Sequence, residues 1–164
     1  MTLSEMLLPE FDQEVIHTRK TLERVPEDKF GWKPHEKSMT MLRLATLVAD
    51  LPGWATSTIE KDFLDITQYA YSKVSSRQDL LDILDKNARA GRAAIAGATD
   101  AHLKKPWSLM VGDKTIFTDS RINVLRSSVM NHLVHHRAQL GVFLRLNNIP
   151  VPAIYGPSAD EGGM

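Results

Sequence analysis

Apolar residues recur at helical spacing through four stretches of the chain, separated by segments rich in proline, glycine and charge. In residues 2–24, Leu3, Leu7, Phe11, Val15 and Leu22 mark one face of a first helix, with Pro9 marking either a kink or its true first turn. Residues 25–38 (VPEDKFGWKPHEKS) hold two prolines and a glycine and read as a loop. Ser38 or Thr40 then caps a second helix over 41–64, whose inner face is Leu44, Leu47, Val48, Leu51, Ala55, Ile59 and Phe63. Pro52-Gly53 predicts a kink within it. After a loop at 66–74, Ser75 and Ser76 precede Gln78 and Asp79 by three residues, the spacing of a capping box, and open a third helix to about Ala98.

The texture changes at 104–118, where WSLMVGDKTIFT carries two short runs around Gly112-Asp113-Lys114 and predicts a small hairpin. The longest uninterrupted pattern follows, a last helix over 119–146. The tail NNIPVPAIYGPSADEGGM has three prolines; Ile149, Val151, Ile154 and Tyr155 predict that its first half packs back, and from about residue 158 it is expected to fray. Four amphipathic helices without repeats give one all-α domain over 1–164, an antiparallel four-helix bundle by default, with loops long enough for a crossover.

Composition narrows the function. Twenty basic and twenty acidic residues cancel, with no run of one sign, which argues against a nucleic-acid surface or an anionic-membrane patch. Cysteine is absent, so neither disulfide nor thiolate chemistry is available. No signal-peptide pattern opens the chain and no apolar run approaches the roughly 20 residues of a membrane span, so the expected location is the cytoplasm. Neither a Gly-rich phosphate loop nor a serine nucleophile elbow occurs.

The segment NHLVHHR is where chemistry concentrates. On a helix, His132 and His136 are one turn apart, in line with Leu125, Val129, Leu140 and Phe143. Two imidazoles on one face can hold a divalent ion; they can equally be core histidines bonded to neighbours, and spacing leaves both open. His135 lies at the edge of that face and Arg137 off it, as a surface or interface charge. His17 and His102 have no motif around them and read as surface or edge histidines. Trp54, Trp107 and Tyr155 are candidates for a cavity mouth, or simple packing.

The stretch NHLVHHRAQLGVFLR with IPVPAIYGPSADE resembles the last helix and tail of the DinB-like (damage-inducible) family, and LERVPEDKFGWKPHEKSM with LRLATLVADLPGWA resembles its first loop and second helix. The resemblance runs in order over nearly the whole chain. It implies a four-helix bundle, usually a homodimer, with a pocket in which three histidines hold nickel, zinc or a similar ion. One histidine comes from the second helix and two from an HxxxH on the last. Some relatives are thiol transferases or isomerases.

At the expected second-helix position this chain has Leu47, which offers no lone pair. Asp50, or His35 from the loop WKPHEK, is the conceivable substitute ligand. The resulting expectation is a depleted metal site, His132 and His136 without their third partner, in a binding or dimeric module with room for a small molecule beside Leu47, Asp50 and Trp54. The alternative is a divalent-metal-dependent hydrolase or thiol transferase using the same two histidines. A nucleic-acid role, suggested by the family's name alone, is opposed by the charge balance.

Overall fold

The computed structural model describes residues 1–162. Its first helix, α1 (Leu3–Leu22), opens on a capping box between Thr2 and Glu5 and continues through Pro9. Thr40 caps α2 (Met41–Asp50) by accepting from the Arg43 N–H. A 3₁₀ turn over Leu51–Gly53 then bends the chain into α3 (Trp54–Glu60), which realises the kink expected at Pro52-Gly53. The bend is held by close packing on α4 (Arg77–Gly97): a Cβ placed on Gly91 would sit 2.5 Å from the Pro52 carbonyl oxygen. Ser76 and Asp79 form the capping box that starts α4, as their spacing implies.

Beyond α4 come a short α5 (Asp100–Leu103), strands β2 (Pro106–Val111) and β3 (Lys114–Ser120), and a final helical run. That run is α6 (Arg121–Val124), a π-helical stretch over Leu125–Asn131, and α7 (His132–Leu146). Helix α1 packs on α4 and α7, and α2 packs on the same two, around a core that includes Leu7, Phe11, Leu44, Leu51, Leu84, Leu133 and Leu140.

The body is therefore mostly helical, but the all-α expectation needs correction. The hairpin β2–β3 forms, turning at Gly112 with φ +56, and a third strand, β1 (Phe63–Asp65), pairs in parallel with β2. The second helix was expected to reach 64 and instead ends at Glu60. Buried Arg121 takes the Lys61 carbonyl at 3.1 Å and the Asp62 carboxylate at 2.8 Å, drawing this stretch out of the helix toward the sheet. Phe63, expected on the inner face, is exposed in β1.

The tail is also more tied down than its sequence implies. Ser158 Oγ donates to the Val151 carbonyl at 2.7 Å, and Asp160 and Glu161 pair with Arg145 and Arg24. These contacts fall at residues 158, 160 and 161 of the segment expected to fray; residues 163 and 164 lie outside those described. Among the described residues no helix is long and apolar enough to cross a membrane.

Candidate functional site

The π-helical stretch decides where the histidines point. Its wider turns advance the helical register by one residue relative to a continuous α-helix. The buried stripe consequently runs through Val129, Leu133, Arg137, Leu140 and Leu144, and not through the histidines. His132 and His136 lie half-buried on the flank of that stripe and His135 is exposed beside them. The expectation that the pair stands in line with Leu125, Val129, Leu140 and Phe143 is corrected to this flanking position, the four apolar residues being buried and the two histidines half-buried.

From this flank the histidines line an open cavity of about 640 Å³ between α2, α7 and the sheet side. Its walls include Leu47, Trp54, Arg43, Tyr71 and Leu109. Trp54 meets His132 edge-on, ring centroids 5.6 Å apart, and Tyr69 edge-on at 5.4 Å; Tyr69 in turn meets Tyr71 at 4.9 Å. Burial first, and the neighbouring Asp50 charge second, push the Tyr69 hydroxyl up to about 12, so it stays neutral.

The hydrogen bonds around the pair fix its chemistry. His132 Nδ1 faces the Ser128 carbonyl at 3.2 Å, which can only accept, so this nitrogen carries a proton. Gln139 turns its amide nitrogen to His135 Nε2 at 3.1 Å and its oxygen to His136 Nδ1 at 2.8 Å, which protonates that nitrogen too. The two Nε2 atoms stand 2.8 Å apart. In the neutral rings both Nε2 atoms present lone pairs, so they cannot bond each other unless a proton or metal ion lies between them. Burial is the main cause lowering both histidines below the ordinary imidazole range; each other's charge (for His132) and the charges of His135 and Arg43 (for His136) add to it.

Nδ1–H groups bonded to oxygen acceptors, with Nε2 lone pairs converging, are what imidazole ligands to a metal require. The rest of the donor set does not match a three-histidine centre. Leu47 lines the cavity where the third imidazole was expected. Asp50 is buried and does not line it; its carboxylate accepts from Ser72 Oγ at 2.6 Å, Ser72 N at 3.1 Å and Asn87 Nδ2 at 3.4 Å. It ties down the loop after β1, in place of the solvated or capping role read from sequence. His35 is exposed in its loop, where Nδ1 accepts from the Lys37 N–H. Among the described residues no three His, Cys, Asp or Glu side chains come together to hold an ion.

Several other residues stand elsewhere than the sequence suggests. Arg137, read as a surface charge, is buried and pairs with Glu14 at 2.6 Å. Tyr155 belongs to that network and does not line the histidine cavity, donating to both Glu14 oxygens at 2.8 and 2.9 Å. His17 is buried beside it, edge-on to the Tyr155 ring at 5.2 Å. His102 bonds the Ile59 carbonyl at 2.7 Å, so it closes the end of α3. Trp107 is buried against Phe117 and does not reach the cavity.

Arg43 and Tyr71 were not singled out from sequence. Arg43 stands one helical turn before Leu47, and that spacing was the available signal.

A mostly helical body with a small sheet, and a histidine pair at the head of its last helix, define a class already suggested by the sequence. The profile of the DinB family matches residues 2–162, and the chain belongs to that family. A crystal structure of a DinB-like protein from Bacillus subtilis superposes with a TM-score of 0.70 at 18% identity, covering 90% of this chain and 96% of that one. Another, from Bacillus cereus, gives 0.70 at 21% identity, covering 92% and 97%. At these identities the likeness shows the shared fold. No curated protein matches the chain in sequence.

Proposed function

We propose that this DinB-family chain is a small-molecule binding module whose metal centre is depleted, with His132 and His136 serving as polar groups in a ligand cavity. The observation behind this reading is the donor set: two converging imidazoles, Leu47 in the third place, and Asp50 committed to Ser72 and Asn87. Catalytic zinc sites keep three protein ligands and a water, which this cavity does not supply. A cavity of about 640 Å³ lies within the usual range for small-molecule sites.

A homodimer in the cytoplasm is part of the same proposal, the dimer on the strength of the family resemblance; a monomer mass by light scattering would remove it. Neither a nucleic acid nor a membrane is proposed as partner.

The second reading, a divalent-metal-dependent hydrolase or thiol transferase, is favoured by the converging Nε2 atoms alone. Calorimetric titration with zinc and with nickel separates the two readings. The unaltered chain is expected to give no stoichiometric binding, while Leu47→His, which restores a donor facing the pair, is expected to gain it. Tight binding by the unaltered chain, abolished in His132→Ala, would favour the second reading.

A further inference from the structure

The cavity holds a cation with nothing to neutralise it. Arg43 stacks over Tyr71, its Cζ 3.5 Å from the ring centroid, so the guanidinium face is spent on the ring and its edges stay free to donate. Its Nη1 is buried and has no hydrogen-bond partner among the described residues. Among the described residues the cavity lining contains three histidines, Arg43, Asn131 and two serines, but no Asp or Glu. The buried carboxylate on the same helix, Asp50, is already bonded to Ser72 and Asn87. A buried donor without an acceptor is costly, and a buried cation more so. Nη1 has almost no surface open to the cavity, so what enters meets the half-buried remainder of the guanidinium, which lines it.

We infer that the cavity takes a small organic anion, with its oxyanion head on Arg43 and its flat apolar body against Trp54, Leu47 and Leu109. This rests on the binding-module reading and names the class of ligand. The chemistry follows from the donors: a guanidinium edge matches the paired oxygens of a carboxylate or phosphate. Arg43 also disfavours a bare dication in the same space, since like charges at short range repel. Trp54 and Tyr71 supply aromatic surface for a planar body.

The test uses the full chain, with benzoate and phenyl phosphate as anionic probes and benzamide as the uncharged counterpart of benzoate, followed by calorimetry and by amide shifts in NMR. Saturable binding of either anion with displaced signals at Arg43, His132 and Trp54, and no comparable binding of benzamide, is the expected result. The tighter anion identifies the head as carboxylate or phosphate ester. Arg43→Gln is expected to weaken the anion by about 10-fold or more, the worth of a charge-assisted hydrogen bond, with Arg43→Lys partly restoring it. Failure of both anions to bind, or equal binding of benzamide, overturns the inference. So does undiminished binding by a folded Arg43→Gln chain; should that variant not fold, the benzoate–benzamide comparison on the unaltered chain decides. Repeating the titration with zinc present separates this claim from the one it rests on. Stoichiometric zinc with Arg43-dependent benzoate binding would remove the depleted-centre reading and leave the anion site standing. Absence of both zinc and anion binding would do the reverse.

Discussion

Replacing Arg137 by Met should destabilise the chain more than any surface charge substitution. The Arg137–Glu14 pair spans 2.6 Å with side chains only 4% and 9% exposed. Arg137 Nη1 also reaches the Glu14 carbonyl at 3.1 Å, and Nη2 reaches the Tyr155 hydroxyl at 2.8 Å. Removing the guanidinium strands a buried carboxylate that retains only the tyrosine hydroxyl. Breaking a buried pair from one side costs about 3–5 kcal/mol. For a chain of this size each kcal/mol shifts the melting temperature by about 2–4 °C, so the expected drop is roughly 6–20 °C. Replacing both partners, Glu14→Gln with Arg137→Met, removes the stranded charge and should recover a large part of the loss. The assay is urea and thermal unfolding followed by circular dichroism, read as a double-mutant cycle. Arg137→Met within about 1 kcal/mol of wild type, or a double variant no better than that single one, would refute the reasoning.

Three further outcomes follow from the same structure. Gly91→Ala should destabilise despite alanine's better helix propensity, because the new Cβ would meet the Pro52 carbonyl at 2.5 Å; overpacking of this kind costs about 1–3 kcal/mol, and a raised urea midpoint would contradict it. Asp79 is held at about 2 by the Ser75 hydroxyl and the Ser75 and Ser76 N–H groups, against an unfolded value of 3.8. Its contribution is therefore whole above pH 3.8 and lost as pH falls toward 2, and Asp79→Ala should lose less stability over that interval than wild type does. His17, His132 and His136 all have lowered values, so below 6.5 the unfolded chain binds protons first and stability should fall as pH drops. His132→Gln/His136→Gln should flatten part of that slope between pH 8 and 5.5, and an unchanged slope in urea unfolding would count against the half-buried, neutral pair.

What could be read in the sequence was what repeats locally. The first helix, the Ser76–Asp79 capping box, the Pro52-Gly53 bend and the hairpin turn at Gly112 each depend on residues within a turn or two, and each forms. Strand β1 was invisible because its three residues have no pattern of their own; they pair with β2 next to a segment that Arg121 holds at the Lys61 carbonyl and the Asp62 carboxylate. The π-helical stretch carries no sequence signature, yet one residue of register moved Arg137 into the core and the histidines onto its flank. Buried Glu14 and Asp50 escaped for a common reason: a charged side chain is expected outside, and the partner that satisfies it lies far along the chain. Leu47 was legible from the start, and it bears most on the site.

The depleted centre is tested most directly by metal content. Protein purified without a histidine tag should be measured by inductively coupled plasma mass spectrometry, before and after incubation with nickel, zinc and manganese. The expected result is no stoichiometric ion under any of these conditions, with Leu47→His acquiring one. Near one ion per chain in the unaltered protein, lost in His132→Ala, would contradict it and return the cavity to metal-dependent chemistry.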